Sequence, residues 1–388
     1  METARQVLAH LQARREEMGD LLRALALLES PSLVAESQEP VFARLAVELE
    51  AAGMRTRRLR GRLAGGQLWA VPRDRRTGPG QLLLGHCDTV WPVGTLASMP
   101  VEIRDGRLTG PGVYDMKAGL VQGIFALRAL RDLGLEPEVT PCVFINSDEE
   151  IGSVESLARI ERLARRVHRV FVLEPSLGPE GKLKTRRKGS LRFTVRVHGR
   201  AAHSGLDPEK GASAILELAR VIQRLYDLAE PGRGLTVNVG VVSGGLRRNV
   251  VAPEAQAEVD VRVMGWDDAL RIERTVLEMK AATPGTSLEV TGGIDRPPLE
   301  ATPGNRVLWE AAKRRAEELG FTLGEGTAGG ASDGSLTSRF TPTLDGLGAV
   351  GDGAHAVHEH VLLDRMPERA ALLALLLLEP ETKMPGQG

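Results

Sequence analysis

Three short apolar runs, at 82–84, 143–145 and 170–173, are too short for helices and are bounded by turn residues. Continuous runs of this kind predict parallel strands covered on both faces. Helical spacing predicts helices around them: 2–28, ended by Ser30-Pro31-Ser32, then 39–52, then 116–133 with Asp115 standing just ahead of it. Near Arg187 the pattern changes. Leu191, Phe193, Val195 and Val197 alternate with polar residues, as in a strand with one buried face. A helix at 208–228, strands at 236–242 and 255–263, a helix at 267–281 and a strand at 287–291 complete a β-α-β-β-α-β order, the ferredoxin-like arrangement. Gly292-Gly293 and Arg296-Pro297-Pro298 close that block, after which a helix at 305–319, a strand at 343–347 and a final helix resume the α/β pattern.

The expected architecture is α/β. A domain with a mostly parallel central sheet is made from 1–185 and 296–388, and an α+β domain, 186–295, is inserted in it. A length of 388 residues with 42% hydrophobic content agrees, because it exceeds what one core usually supports. The Leu-rich run 370–378 is too short to span a bilayer and reads as a core-facing helix, while the tail 379–388 reads as disordered.

Charge narrows the function. A formal net charge of −1 offers no field for a polyanion, and aromatics for base stacking make up only 3% of the chain. The basic stretch 55–62, and Lys184 with Arg186, Arg187 and Lys188, therefore read as solvated faces rather than nucleic-acid patches. No leading signal segment and no long apolar stretch is evident, so the expected setting is cytoplasmic, without a membrane partner. Cys87 points away from the strand face shared by His86 and Asp88 and reads as packing.

The predicted strands end in chemistry. His86 and Asp88 follow the first, Glu149 and Glu150 the second, Glu174 the third, and His355 lies near the C-terminus. In open α/β sheets the ligand crevice lies outside the carboxyl ends of the strands, so these groups converge. That many carboxylates would repel one another and resist burial. A pair of divalent cations removes the conflict. His86 and Glu174 offer nitrogen and oxygen ligands that zinc accepts, Asp115 has a short carboxylate suited to bridging two ions, and Glu150 and His355 would complete the second site. Cobalt or manganese suits the same donors.

Asp88 is placed to accept the other N–H of the His86 ring. The neighbour of a metal-bound glutamate points elsewhere and is free to take a proton from water. Glu149 is assigned as that base and Glu150 as the ligand, although spacing alone leaves their order open. Other roles stay open as well: Asp115 as a helix N-cap, Asp88 as a turn acid, 148–150 as a solvated triplet. His358 and His360 compete with His355, and Glu359 is a candidate support. His203, in the small-residue turn 199–205, either donates to an oxyanion or is a turn histidine.

Gly85-His86-Cys87-Asp88-Thr89-Val90, Gly112-Val113-Tyr114-Asp115-Met116-Lys117-Ala118-Gly119, Asp148-Glu149-Glu150-Ile151-Gly152-Ser153, Glu174-Pro175 and Gly353-Ala354-His355 resemble, in order and spacing, the motifs of the M20 metallopeptidases. Within that family the chain most resembles the glutamate carboxypeptidases. The resemblance implies a dinuclear zinc catalytic domain interrupted by a smaller domain through which two subunits pair. It implies His86, Asp115 and Glu174 on one Zn2+, Asp115, Glu150 and His355 on the other, Glu149 as base and Asp88 orienting His86. His203 matches a histidine that reaches the partner subunit's active site. Lys182, Asn249, Arg262 and Arg296, with Gly330 in the segment 329–333, match groups that hold substrate carboxylates.

The expected function is thus a homodimeric zinc hydrolase that releases a C-terminal amino acid such as glutamate from a peptide or N-acyl amino acid. The alternatives are an N-acyl amino acid deacylase resembling acetylornithine deacetylase and a non-catalytic metal-binding scaffold.

Overall fold

The computed structural model describes residues 1–74, 78 and 80–381. They form two compact units, one of Met1–Thr185, Ala301–Ala328 and Ser332–Gly388, the other of Arg186–Glu300 with Gly329–Ala331.

The larger unit is built on a six-stranded sheet in the order Met54–Arg60, Gly66–Pro72, Thr140–Asn146, Gly80–His86, Val167–Val172, Thr343–Leu344. Only Gly66–Pro72 runs against its neighbours. The apolar runs are buried because both sheet faces are covered: Leu83, Val143, Ile145 and Phe171 join the main core, while Leu82, Leu84, Phe144 and Val170 join a smaller cluster on the other face. The helix Ala118–Asp132 connects the His86 strand to its parallel neighbour, and the final helix Met366–Leu377 is buried except at Glu368. No helix among the described residues is long and apolar enough to cross a membrane.

Several elements depart from the sequence pattern. The expected 2–28 helix is two, Glu2–Gln12 and Arg15–Ala26, because Arg14 leaves helical backbone at φ −109°, ψ 14°. The second helix begins earlier, at Ala35. The strand at 343–347 stops at Leu344, and Gly346, with φ 81°, turns the chain. Glu379, expected in a disordered tail, instead receives Arg314 and Arg315 at 2.9 and 2.6 Å. Residues 382–388 of that tail lie outside the described residues.

The smaller unit has the β-α-β-β-α-β order, with an antiparallel sheet arranged Thr236–Gly244, Glu254–Val263, Gly189–His198, Ser287–Arg296. Helices Ala214–Tyr226 and Trp266–Leu277 supply Leu218, Val221, Ile272 and Val276 to its core, against Leu191, Phe193, Val195 and Val259. Gly292 and Gly293 do not end the block. They lie within Ser287–Arg296, paired with Phe193 and Arg192. A Cβ on Gly292, whose φ is 114°, would stand 2.1 Å from the Arg192 carbonyl oxygen, so close strand approach explains this glycine.

Candidate metal centre

His86 is the last residue of its strand and stands opposite Asn146, so the turn Glu149–Ile151 starts from the same end of the sheet. Glu174 lies two residues beyond Val167–Val172. The buried His86 ring divides its nitrogens between two jobs. Its Nδ1 is 3.1 Å from the Asp88 carbonyl oxygen and 3.4 Å from the Asp88 carboxylate, so the backbone is the nearer acceptor. Its Nε2 faces Asp115 Oδ1 at 3.3 Å and Glu174 Oε1 at 3.4 Å.

The Asp88 carboxylate is not a surface turn acid. It is fully buried and accepts Ser32 Oγ at 2.7 Å and the amides of Glu149 and Glu150 at 3.3 and 3.1 Å. Burial opposes its ionisation, but His86, Ser32 and the Glu150 amide outweigh that and hold the carboxyl below its ordinary value. Asp88 therefore holds His86 chiefly through its carbonyl and the turn carrying two glutamates through its carboxylate.

Asp115 sits in the turn Val113–Lys117 and caps no helix: the helix Ala118–Asp132 follows Lys117 without a side-chain cap. The turn is entered through Gly112 at φ 71°, where a Cβ would lie 2.4 Å from Thr89 Cγ2. Its clamp is Glu359, fully buried, which accepts the amides of Gly112, Tyr114 and Asp115 at 2.9, 2.9 and 3.0 Å and Trp91 Nε1 at 2.9 Å. Tyr114 ties the turn to the Glu174 loop by donating its hydroxyl to the Ser176 carbonyl at 2.6 Å.

His355 adopts left-handed backbone, φ 60°, which few side chains other than glycine take. Its Nε2 lies 3.1 Å from Glu150 Oε2 and 3.6 Å from Asp115 Oδ2. The two oxygens of Asp115 thus face two different imidazoles. His360 Nδ1 is instead engaged with the His358 carbonyl at 3.0 Å.

The donors fit divalent cations. His86 Nε2 and Asp115 Oδ1 are buried without hydrogen-bond partners. Two three-residue sets, His86 with Glu149 and Glu174, and His86 with Asp115 and Glu150, each present ligand atoms within 4.8 Å of one another. Ligands on a tetrahedral zinc are about 3.4 Å apart, given bonds of roughly 2.1 Å, close to the contacts above.

The charges agree with such a site. Burial opposes protonation of His86, yet Asp115, Asp88 and Glu174 keep its pKa well above the ordinary histidine value. The Glu150 contact, reinforced by the charge of Asp115, raises His355 from 6.5 to about 9. Its protonated form therefore contributes stability that is complete below pH 6.5 and lost as the pH rises through about 9. Ligation needs the neutral ring, so metal uptake near neutral pH is expected to release a proton and to tighten as the pH is raised. Calorimetric titration in buffers of differing ionisation enthalpy reads that proton, and equal heats in all buffers would contradict it. Glu359→Gln keeps the shape but turns an amide group toward backbone donors. It is expected to weaken metal affinity about tenfold, read by competition with a chelating dye; unchanged affinity would refute the clamp.

Other expected residues lie elsewhere. His203, exposed in the smaller unit, accepts the amides of Gly205 and Leu206 on Nδ1, both at 3.1 Å, which places the neutral ring's proton on Nε2. Asn249 is exposed, and its carbonyl accepts the Ser204 amide. Arg262 spends its fork on Asp260, at 2.8 and 3.0 Å. Arg296 is buried at the end of its strand, and the Gly330 carbonyl accepts Arg187 at 3.1 Å. Lys182, in the larger unit, lies 3.7 Å from Glu180. The solvated-face reading fails for two basic residues: Lys184 and Arg187 are 8% and 4% exposed, and Lys184 Nζ stands 3.9 Å from Glu174 Oε2. Sequence reasoning also missed Ser32 and Tyr114 as supports.

A model of the peptidase family M20/M25/M40 matches residues 82–379. The chain belongs to this family. Carboxypeptidase G2 of Pseudomonas sp. (strain RS-16) is 29% identical to this M20 chain over 311 residues, covering 78% of it and 74% of the relative. A succinyl-diaminopimelate desuccinylase of Verminephrobacter eiseniae is 28% identical, covering 72% and 73%. A probable carboxypeptidase of Arthroderma otae is 35% identical over 52% of the chain, which spans 47% of that longer protein. Among solved structures, aminopeptidase PepT of Bacillus cereus has a TM-score of 0.76 at 23% identity, with 94% of this chain and 98% of that one covered. A dinuclear metal-binding M20 peptidase of Bacillus subtilis has a TM-score of 0.69 at 15% identity, with 94% and 98% covered. These two likenesses show the fold. As a member of this family, the chain is a peptidase or amidohydrolase.

Proposed function

We propose that the chain is a dinuclear, zinc-dependent carboxypeptidase that cleaves the amide bond next to a C-terminal amino acid of the glutamate type. The arrangement of Asp115 carries the reading: one oxygen faces His86 and the other His355, as a carboxylate shared by two cations requires. Glu174 completes the His86 side and Glu150 the His355 side. Cations held there would polarise the scissile carbonyl and acidify the attacking water. Glu149 takes the water's proton and delivers it to the leaving nitrogen. Its assignment as base is supported by its neighbour, since Glu150 is already engaged with His355. Asp88 and Glu359 hold the ligands, and Lys184 keeps Glu174 Oε2 turned from His86.

His203 donates Nε2–H to the oxyanion across a two-fold pairing of subunits. Asn249, Arg296, Lys182 and Gly330 bind the substrate's carboxylates, and Arg262 joins them only when substrate displaces Asp260.

A second reading, an N-acyl amino acid deacylase, is favoured by the similarity to a desuccinylase. Hydrolysis of dipeptides and N-acyl amino acids differing only in the C-terminal residue, with chelated protein as control, separates the two. Release peaking at glutamate whatever the acyl group supports the carboxypeptidase; rates set by the acyl group support the deacylase. Turnover that survives chelation overturns both.

A further inference from the structure

We infer a second small-molecule site in the larger unit, for an organic anion with a flat apolar body, at the amino ends of its parallel strands. A hollow of about 320 Å³ opens there. Its floor is Leu59, Trp69, Cys142 and Phe144, drawn from three neighbouring strands. The register sets Arg57 opposite Trp69 and Trp69 opposite Phe144, so these side chains share one face of the sheet.

The rim is Arg57, Arg159, Arg162 and Arg166. The helix Leu157–Ala164 buries Ile160 and Ala164, and arginines three and seven residues apart along this segment fall on one stripe. Neighbouring arginines are engaged: Arg58 stacks 3.6 Å over Phe42 and Arg165 3.8 Å over Phe340. Among the described residues the four rim guanidiniums have no acidic or hydrogen-bonding partner. Like charges on adjacent helical turns repel, and a bound anion relieves that. Guanidinium forks match a carboxylate, sulfonate or phosphate, and the aromatic floor matches a ring. The volume suits one small molecule.

The site is separate from the metal centre. Gly80, Thr140 and Val167 line it, whereas His86, Glu149 and Glu174 follow the opposite ends of the same strands. The hollow reaches along Thr140–Asn146 as far as Phe144, and none of the proposed metal ligands lines it. The inference therefore stands independently of the proposed reaction.

Calorimetric titration of the full, metal-loaded chain with naphthalene-1-sulfonate tests it. One equivalent is expected to bind, more tightly than uncharged 1-naphthol or inorganic phosphate, and equally after chelation. The exposed pair Arg159→Ala with Arg162→Ala is expected to weaken the probe about tenfold, and Arg57→Ala to weaken it as well. Absence of binding at millimolar probe, equal affinity for 1-naphthol, unchanged affinity in both variants, or loss of binding on chelation would each overturn the site.

Discussion

Replacing Glu149 with alanine is expected to lower kcat about a thousandfold, within the range a positioned acid–base group supplies, while metal content stays unchanged. The turn that carries Glu149 is held by its own amide and that of Glu150 on Asp88, so truncation beyond Cβ leaves the turn in place. His86, Asp115, Glu150, Glu174 and His355 keep their positions and their donors. Lost is the carboxylate that reaches the His86 and Glu174 ligand atoms and would receive the proton. Glu149→Gln, which preserves volume, is expected to be nearly as slow, because an amide accepts no proton. Steady-state kinetics together with elemental analysis checks both. Wild-type turnover would place the base elsewhere, and loss of a metal equivalent would make Glu149 a ligand. Glu150→Ala should behave in the opposite way, losing metal.

Divalent metal is expected to raise the unfolding temperature by about ten degrees, and a chelator to reverse the shift. Asp115, Glu149, Glu150 and Glu174 converge on His86. Burial raises the Glu150 pKa, a sign that its charge is uncomfortable there before a cation arrives. A cation that binds only the folded state at a thousand times its Kd adds about 4 kcal/mol. For a domain of this size each kcal/mol moves the midpoint by roughly 2–4 °C. Differential scanning calorimetry with zinc, cobalt or manganese reads the shift, and Asp115→Asn should remove most of it. An unfolding temperature indifferent to metal and chelator would sink the cation-site assignment.

Much of this candidate centre is legible because burial on both faces writes parallel strands as unbroken apolar runs, and the imidazole and carboxylates follow where such strands stop. His86, Glu149, Glu150 and Glu174 are read off in that way. Asp115 and His355 follow no such run, and the turn of one and the left-handed backbone of the other leave no periodic trace. The supports were harder. Lys184 and the exposed Arg186 lie two residues apart in one basic run, and nothing local distinguishes them. Ser32 acts on Asp88 across 56 residues of sequence. Arg262, expected to hold a substrate carboxylate, has its fork closed by Asp260, two residues earlier on the same strand face. Gly292 and Gly293 looked like a terminator because a glycine forced by close strand approach and one marking a turn have the same spelling.

The clamp on Asp115 has a consequence for the order in which the protein becomes functional. Glu359 holds a turn 244 residues before it, and His355 comes almost as late. A chain emerging from synthesis has already made four of the five candidate metal donors when residue 300 appears, but neither the fifth, His355, nor the brace that aligns the Asp115 carboxylate. The buried final helix, Met366–Leu377, follows later still. Metal capture at the candidate site is therefore expected only once Glu359 is made and packed, so that metal content would report a chain folded past that point.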